Sequence, residues 1–184
     1  ERIRQRIHEQ TGIEPDAVLV ACSHSHCSPY GSDAGKAISA QRGYVASLIE
    51  QVAEAVVAAN ERAAQATVRV GLGECGIGVQ RRVVNADGVA EMGRDDAGSV
   101  DRSLGVAQLV SAEGRVLATI VNFACHPAIL APRFRTASAE WPGEMRRVVE
   151  AATGGLCIFL QGATGDINPD HDWNDEDEAV CLSL

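Results

Sequence analysis

Two imidazoles stand two residues apart in Ser23-His24-Ser25-His26, at the end of the apolar run Val18-Leu19-Val20-Ala21-Cys22. On a β-strand that spacing puts both rings on one face. Neutral imidazole is the commonest protein ligand for transition metals, and zinc sites draw on such clusters. A second apolar run, Val116 to Cys125, also ends in a histidine, His126, and Pro127 behind it stops regular pairing. Two strand exits that each deliver a histidine point to a metal more strongly than one His-x-His pair. A catalytic zinc usually takes three protein ligands plus water or substrate, and His24 and His126 supply two. Glu140 and Asp166 are candidates for a third on residue type alone, though a carboxylate beside a helix start or in a Gly-rich loop more often caps the helix or orients a ligand. His8 falls on an exposed helix face and His171 in an acidic tail, so neither competes.

Other chemistries fit less well. There is no Gly-x-Ser-x-Gly elbow for a serine hydrolase. Cys125 and His126 are chain neighbours, which does not bring a thiol and its base into hydrogen-bond geometry. Gly71-Leu72-Gly73-Glu74-Cys75-Gly76 matches the dinucleotide pattern, but Gly78, Val79, Val83 and Val84 follow where a helix is needed to hold a pyrophosphate. A metal-dependent amidohydrolase of the TIM-barrel kind needs more βα units than this chain shows.

The elements that must position these groups alternate. Ile3 and Ile7 among charges predict a helix over 1–10, stopped by Gly12, with a turn at Pro15-Asp16. Residues 17–22 read as the first strand. Tyr44, Leu48, Ile49, Val52, Val56 and Val57 make a helical stripe over 41–63, read as core packing. Residues 66–72 read as a strand with glycine bulges leading to a hairpin at Asn85-Ala86-Asp87-Gly88, and 91–103 as a polar stretch. Strands follow over 105–110 and 115–124, then a helix over 142–153 opened by Pro142 and closed by Gly154-Gly155, then a strand over 156–160. This is an α/β layered domain, a central mixed sheet flanked by helices, in which ligands gather at the carboxyl ends of strands. Three such ends carry reactive groups: His24/His26, His126, and Gly165-Asp166-Ile167-Asn168-Pro169.

Composition narrows the partners. Asp and Glu number 25 against 16 Lys and Arg, a net charge of -9, which argues against nucleic acid. No apolar run approaches the ~20 residues of a membrane span. The six cysteines show no Cys-x-x-Cys, and Cys22, Cys125 and Cys157 read as reduced core residues, with Cys27 set apart by its place beside His26. Aromatic residues are only 4%, so Ala, Val, Leu and Ile must fill the core. The 184 residues begin mid-helix by pattern and stop after an acidic stretch, which reads as a single domain truncated at both ends.

Four segments together, Ser23 to Pro29, Phe123 to Pro127, Ala137 to Gly143 and Gly165 to Pro169, resemble the catalytic domain of the neutral/alkaline, non-lysosomal ceramidase family in order and context. The resemblance runs from near residue 1 to about 170. It implies a zinc amidohydrolase, with His24 and His126 as zinc ligands and His26 at the substrate carbonyl or the developing oxyanion. It places Arg81 at the substrate as well, and implies a ceramide-like lipid amide as substrate and a secreted or exported protein. A Glu and a Tyr that complete the family's metal site have no counterpart here. The family's Gly-Asp-x-Ser-Pro serine is Asn168 in this chain, and its motif aspartate is Glu140. Asn168 can hydrogen-bond but cannot serve as an acyl nucleophile. That departure keeps open a zinc hydrolase of another amide or ester, and a binding module that retains the fold without the reaction.

Overall fold

The computed structural model describes residues 1–29, 39–130 and 137–170. The loop expected after Pro29, the Pro- and Arg-bearing loop before Ala137, and the acidic tail with His171 fall wholly or mostly outside these residues.

The chain divides into two compact units, Glu1–Ala21 with Pro29–Gln65, and Cys22–Ser28 with Ala66–Leu184. In the first unit, α1 (Arg2–Thr11) and α2 (Ser39–Glu61) pack together around Ile7, Val45 and Ala53. Gly12 at φ 72 closes α1, its N–H bonding the His8 carbonyl at 2.9 Å, a left-handed cap that glycine adopts without strain. A short 3-10 turn at Pro15–Ala17 follows. The α2 stripe is half-buried at Leu48, Ile49, Val52, Val56 and Val57, while Tyr44 is exposed.

The second unit holds two sheets. The first has strand order β1-β4-β5-β6, where β1 is Thr67–Glu74, β4 Ser103–Val110, β5 Val116–Phe123 and β6 Leu156–Gln161. β1, β4 and β5 pair antiparallel, and β5 pairs parallel to β6, so the sheet is mixed as expected. A parallel pair needs a crossover, which α3 (Glu140–Thr153) provides before Gly154 caps it at φ 72. The second sheet has order β3-β2-β7, with β2 Gly78–Val84, β3 Ala90–Asp95 and β7 Ile167–Pro169, all antiparallel. Phe123, Ala124, Cys125 and Ile167 form the core between them, with Trp141 packed edge-on to Phe123 and Phe159 at centroid distances of 5.9 and 5.0 Å.

Four expectations are corrected. Residues 17–22 are not a strand: Val18 is extended (φ -106, ψ 112), but the run has no ladder partner among the described residues, and Leu19 is 74% exposed. Apolar composition favours a strand only where a neighbour accepts its hydrogen bonds. Cys22 is accordingly exposed rather than a core thiol. β1 runs beside β4 without a register shift at Gly71 or Gly73; the irregularity lies on β2, between Gln80 and Arg82. The polar stretch 91–103 contains most of β3, because backbone pairing to β2 suffices where side chains stay wet. The hairpin itself turns at Asn85–Gly88 as its sequence predicts, with Gly88 at φ 77.

Candidate metal centre

His126 is held from three directions. β5 delivers it three residues past Phe123, and it is 4% exposed. Its backbone N–H donates to the Ile167 carbonyl at 3.1 Å, and its Nδ1 lies 3.0 Å from the same oxygen. A carbonyl only accepts, so Nδ1 carries the proton and the lone pair sits on Nε2. That is the outer-sphere bond that metal-binding histidines ordinarily make. The Trp141 indole donates to the His126 carbonyl at 3.0 Å. Gly162 packs close behind this segment: a Cβ there would meet Ala124 at 3.0 Å, so the Ala124 backbone would have to shift to admit it.

The His24 pair arrives differently. His24 sits at φ 64, a left-handed conformation uncommon for a side-chain-bearing residue. The same-face argument from strand alternation therefore does not apply, and the rings converge because the chain turns at His24. Ser25 Oγ donates to the Ser138 carbonyl at 2.9 Å, the Cys27 N–H donates to Ser25 Oγ at 3.2 Å, and the His26 N–H donates to the Pro127 carbonyl at 3.1 Å. These bonds stitch the pair to the segment behind His126.

The result is a cluster of three Nε2 atoms. His24 Nε2 lies 3.2 Å from His126 Nε2 and 3.4 Å from His26 Nε2, and one ligand atom from each histidine falls within 4.8 Å of the others. Nitrogens about 2.0–2.1 Å from a tetrahedral zinc are roughly 3.3 Å apart, so the donor set and its spacing fit such an ion. Burial first, then the charges of His24 and Arg81, lower the His26 imidazole below its ordinary value, against an opposing pull from Glu140. His126 is also lowered, chiefly by burial, with its bond to Ile167 opposing. Both effects favour neutral rings, the form that binds a metal. Glu140 and Asp166 do not join this cluster among the described residues.

Arg81, on β2, reaches the same region. Its Nε and Nη2 donate to the Gly165 carbonyl at 3.1 and 3.0 Å, and its Nη1 donates to Asn168 Oδ1 at 3.2 Å. Asn168 is 2% exposed, within β7. Gln80 Nε2 bonds Asp166 Oδ2 at 3.1 Å, tying the same loop to β2. The structure thus groups the three histidines, and joins Arg81 to Asn168 beside them. Cys27 adjoins the cluster, but burial and then the Glu140 carboxylate push its thiol up to about 12, which keeps it protonated. Sequence reading missed the stitching by Ser25 and Ser138; a serine between two histidines was the available signal. It also missed the short β7, whose Ile167 carbonyl orients His126; a three-residue strand carries no periodicity.

No protein-family model matches this sequence, and no curated protein matches it. Solved structures do. The neutral ceramidase from Pseudomonas aeruginosa superposes with a TM-score of 0.70 at 15% identity, over 96% of this chain and 30% of that one. A ceramidase complexed with C2 superposes with a TM-score of 0.61 at 16% identity, over 92% of this chain and 28% of that one. At such identity the likeness is one of fold, and this chain spans less than a third of either neighbour's length.

Proposed function

We propose that this chain is part of a ceramidase-like catalytic domain and acts as a zinc-dependent hydrolase of a lipid amide. The observation that supports it most is the His126 arrangement: Nδ1–H on the Ile167 carbonyl and Nε2 facing His24 Nε2 at 3.2 Å. His24 and His126 would hold the ion, with further ligands from outside these residues. Zinc there would supply Lewis acidity and a water acidic enough to ionise near neutral pH. His26, which is exposed, would donate to the amide oxygen as it gains charge. Arg81, oriented by Gly165 and Asn168, would add a second donor, each such donor being worth about 3 kcal/mol of barrier. Asn168 would act through Arg81, because its Oδ1 accepts from the guanidinium and its side chain is buried. Nothing in that division of labour requires a serine nucleophile.

Hydrolysis of a short-chain fluorescent ceramide by the full-length protein tests this reading. Turnover abolished by chelation and restored by zinc supports it; turnover indifferent to chelation contradicts it. A second reading, hydrolysis of another amide or an ester, is favoured by Asn168 at the family's serine position. Zinc-dependent turnover of N-acyl amino acids with none of ceramide would select it. One ligand atom of each of the three histidines lies within 4.8 Å of the others, which supports His26 as a third ligand in place of the oxyanion role; loss of metal in His26→Ala would favour that assignment.

A further inference from the structure

Glu140 is a buried carboxylate that the proposed chemistry leaves without a task. It is 8% exposed, and among the described residues its Oε1 is buried with no partner inside hydrogen-bond distance, while the Cys27 thiol lies against the carboxylate. Its Oε2 accepts the N–H of Ile129 at 2.9 Å and of Leu130 at 3.2 Å, in the segment that leaves His126-Pro127. A glutamate in the first turn of a helix commonly serves its own helix terminus. Here α3 has no side-chain cap bond, and Glu140 itself sits at φ 54. Among the described residues the only other non-glycine residue with positive φ is His24. Such conformations persist only where the surroundings over-determine them, and they collect at functional sites.

The surroundings do over-determine this one. Glu140 N–H donates to Ser138 Oγ at 3.0 Å, and Ser138 N–H donates to the Cys27 carbonyl at 2.8 Å. Ser138 also accepts from Ser25, and Trp141 donates to the His126 carbonyl. Within one short stretch Ser138, Glu140 and Trp141 therefore reach both segments that carry histidines.

We infer that Glu140 is a positioning residue: its carboxylate clamps the Ile129-Leu130 peptides against the His24–Cys27 loop, sets the spacing of the Nε2 cluster, and supplies a buried negative charge that favours a divalent cation there. This rests on the metal reading above. The outer-sphere partners of metal ligands typically change affinity by about 10- to 100-fold when removed.

Cobalt(II) is the probe, titrated into the chelator-treated full-length protein and read by its visible d–d absorption, with folding followed by circular dichroism. Glu140→Gln should fold and bind cobalt at least about tenfold more weakly, with a shifted band; Glu140→Asp, which restores the charge, should recover most of that loss. Wild-type affinity and spectrum in Glu140→Gln, which keeps an acceptor for the Ile129 and Leu130 N–H groups, overturns the charge, and wild-type affinity in Glu140→Ala, which removes that acceptor, overturns the clamp. Should Glu140→Gln fail to fold, Ser138→Ala decides: it removes the hydroxyl that accepts the Glu140 N–H, and unchanged cobalt affinity there overturns the clamp. A wild type that takes up no cobalt overturns this inference together with the metal reading, whereas wild-type uptake lost in His24→Ala but untouched in both Glu140→Gln and Glu140→Ala removes this inference alone.

Discussion

The two segments that bring histidines together are built in opposite ways. His126 leaves the end of a paired, largely buried strand, and its backbone N–H, carbonyl and Nδ1 all have protein partners. His24 and His26 lie on an unpaired and mostly exposed stretch, bent at a positive φ and tied down by a few bonds from Ser25, His26 and Cys27. A rigid half and a bent half meeting at one point suit a site in which one ligand fixes the position and the others complete it. The strain at His24 is then part of the site and not of the fold, the usual direction of the stability–function trade.

The largest expected effect that sharpens this contrast is functional. His126→Ala and His24→Ala should each lower zinc affinity at least about 100-fold, in line with the loss of one of few ligands. Only His126→Ala should also destabilise the metal-free fold, by about 1–3 kcal/mol, because it removes one of the two donors on the Ile167 carbonyl and leaves a buried gap. Equal stability losses in urea denaturation would erase the distinction. Next in size, Trp141→Ala should destabilise by about 3 kcal/mol through loss of its packing on Phe123 and Phe159 and its bond to His126; Ser25→Ala, on the other half, should lose only about 1 kcal/mol.

A gain is expected at the bent residue. His24→Gly should stabilise the metal-free chain by up to about 1 kcal/mol, since glycine adopts φ 64 without penalty, while zinc binding is lost; a lower melting temperature would remove strain from the account. The histidine shifts give a pH dependence of definite sign. His126 is lowered, chiefly by burial, so its contribution to the metal-free fold is fully present above the ordinary value of about 6.5 and is lost as pH falls through the depressed one. Stability of the chelated protein should therefore fall on acidification below about pH 6.5, less steeply in His126→Gln. The smallest effect is at the thiols. Cys22 is exposed and should react promptly with a thiol reagent at pH 8, whereas Cys125, pushed up to about 12 chiefly by burial, should react only on unfolding.

Much of this fold is legible in the residues. The helices announce themselves by spacing and caps, with Gly12 and Gly154 ending α1 and α3 in the left-handed conformation. β4, β5 and β6 follow from apolar runs separated by turn residues. What the pattern does not encode is pairing. Val18 to Cys22 is as apolar as β6 yet forms no ladder among the described residues, while Ala90–Asp95 is polar and forms one, because a strand is defined by its neighbour. The same limit hid the split into two sheets, which separates β1 from β2. In the site, the histidines were visible as types at run ends. The carbonyl that orients His126 and the peptides that Glu140 holds lie on other segments of the chain, and the bend at His24 is a backbone conformation, so no local spacing reports them.

The central claim is that His24 and His126 hold one metal ion, and its direct test is zinc content of the full-length protein by elemental analysis after dialysis against trace zinc. One zinc per chain in the wild type, and none retained in either His24→Ala or His126→Ala, is the predicted result. A wild type without zinc, or two variants that keep it undiminished, would contradict the account.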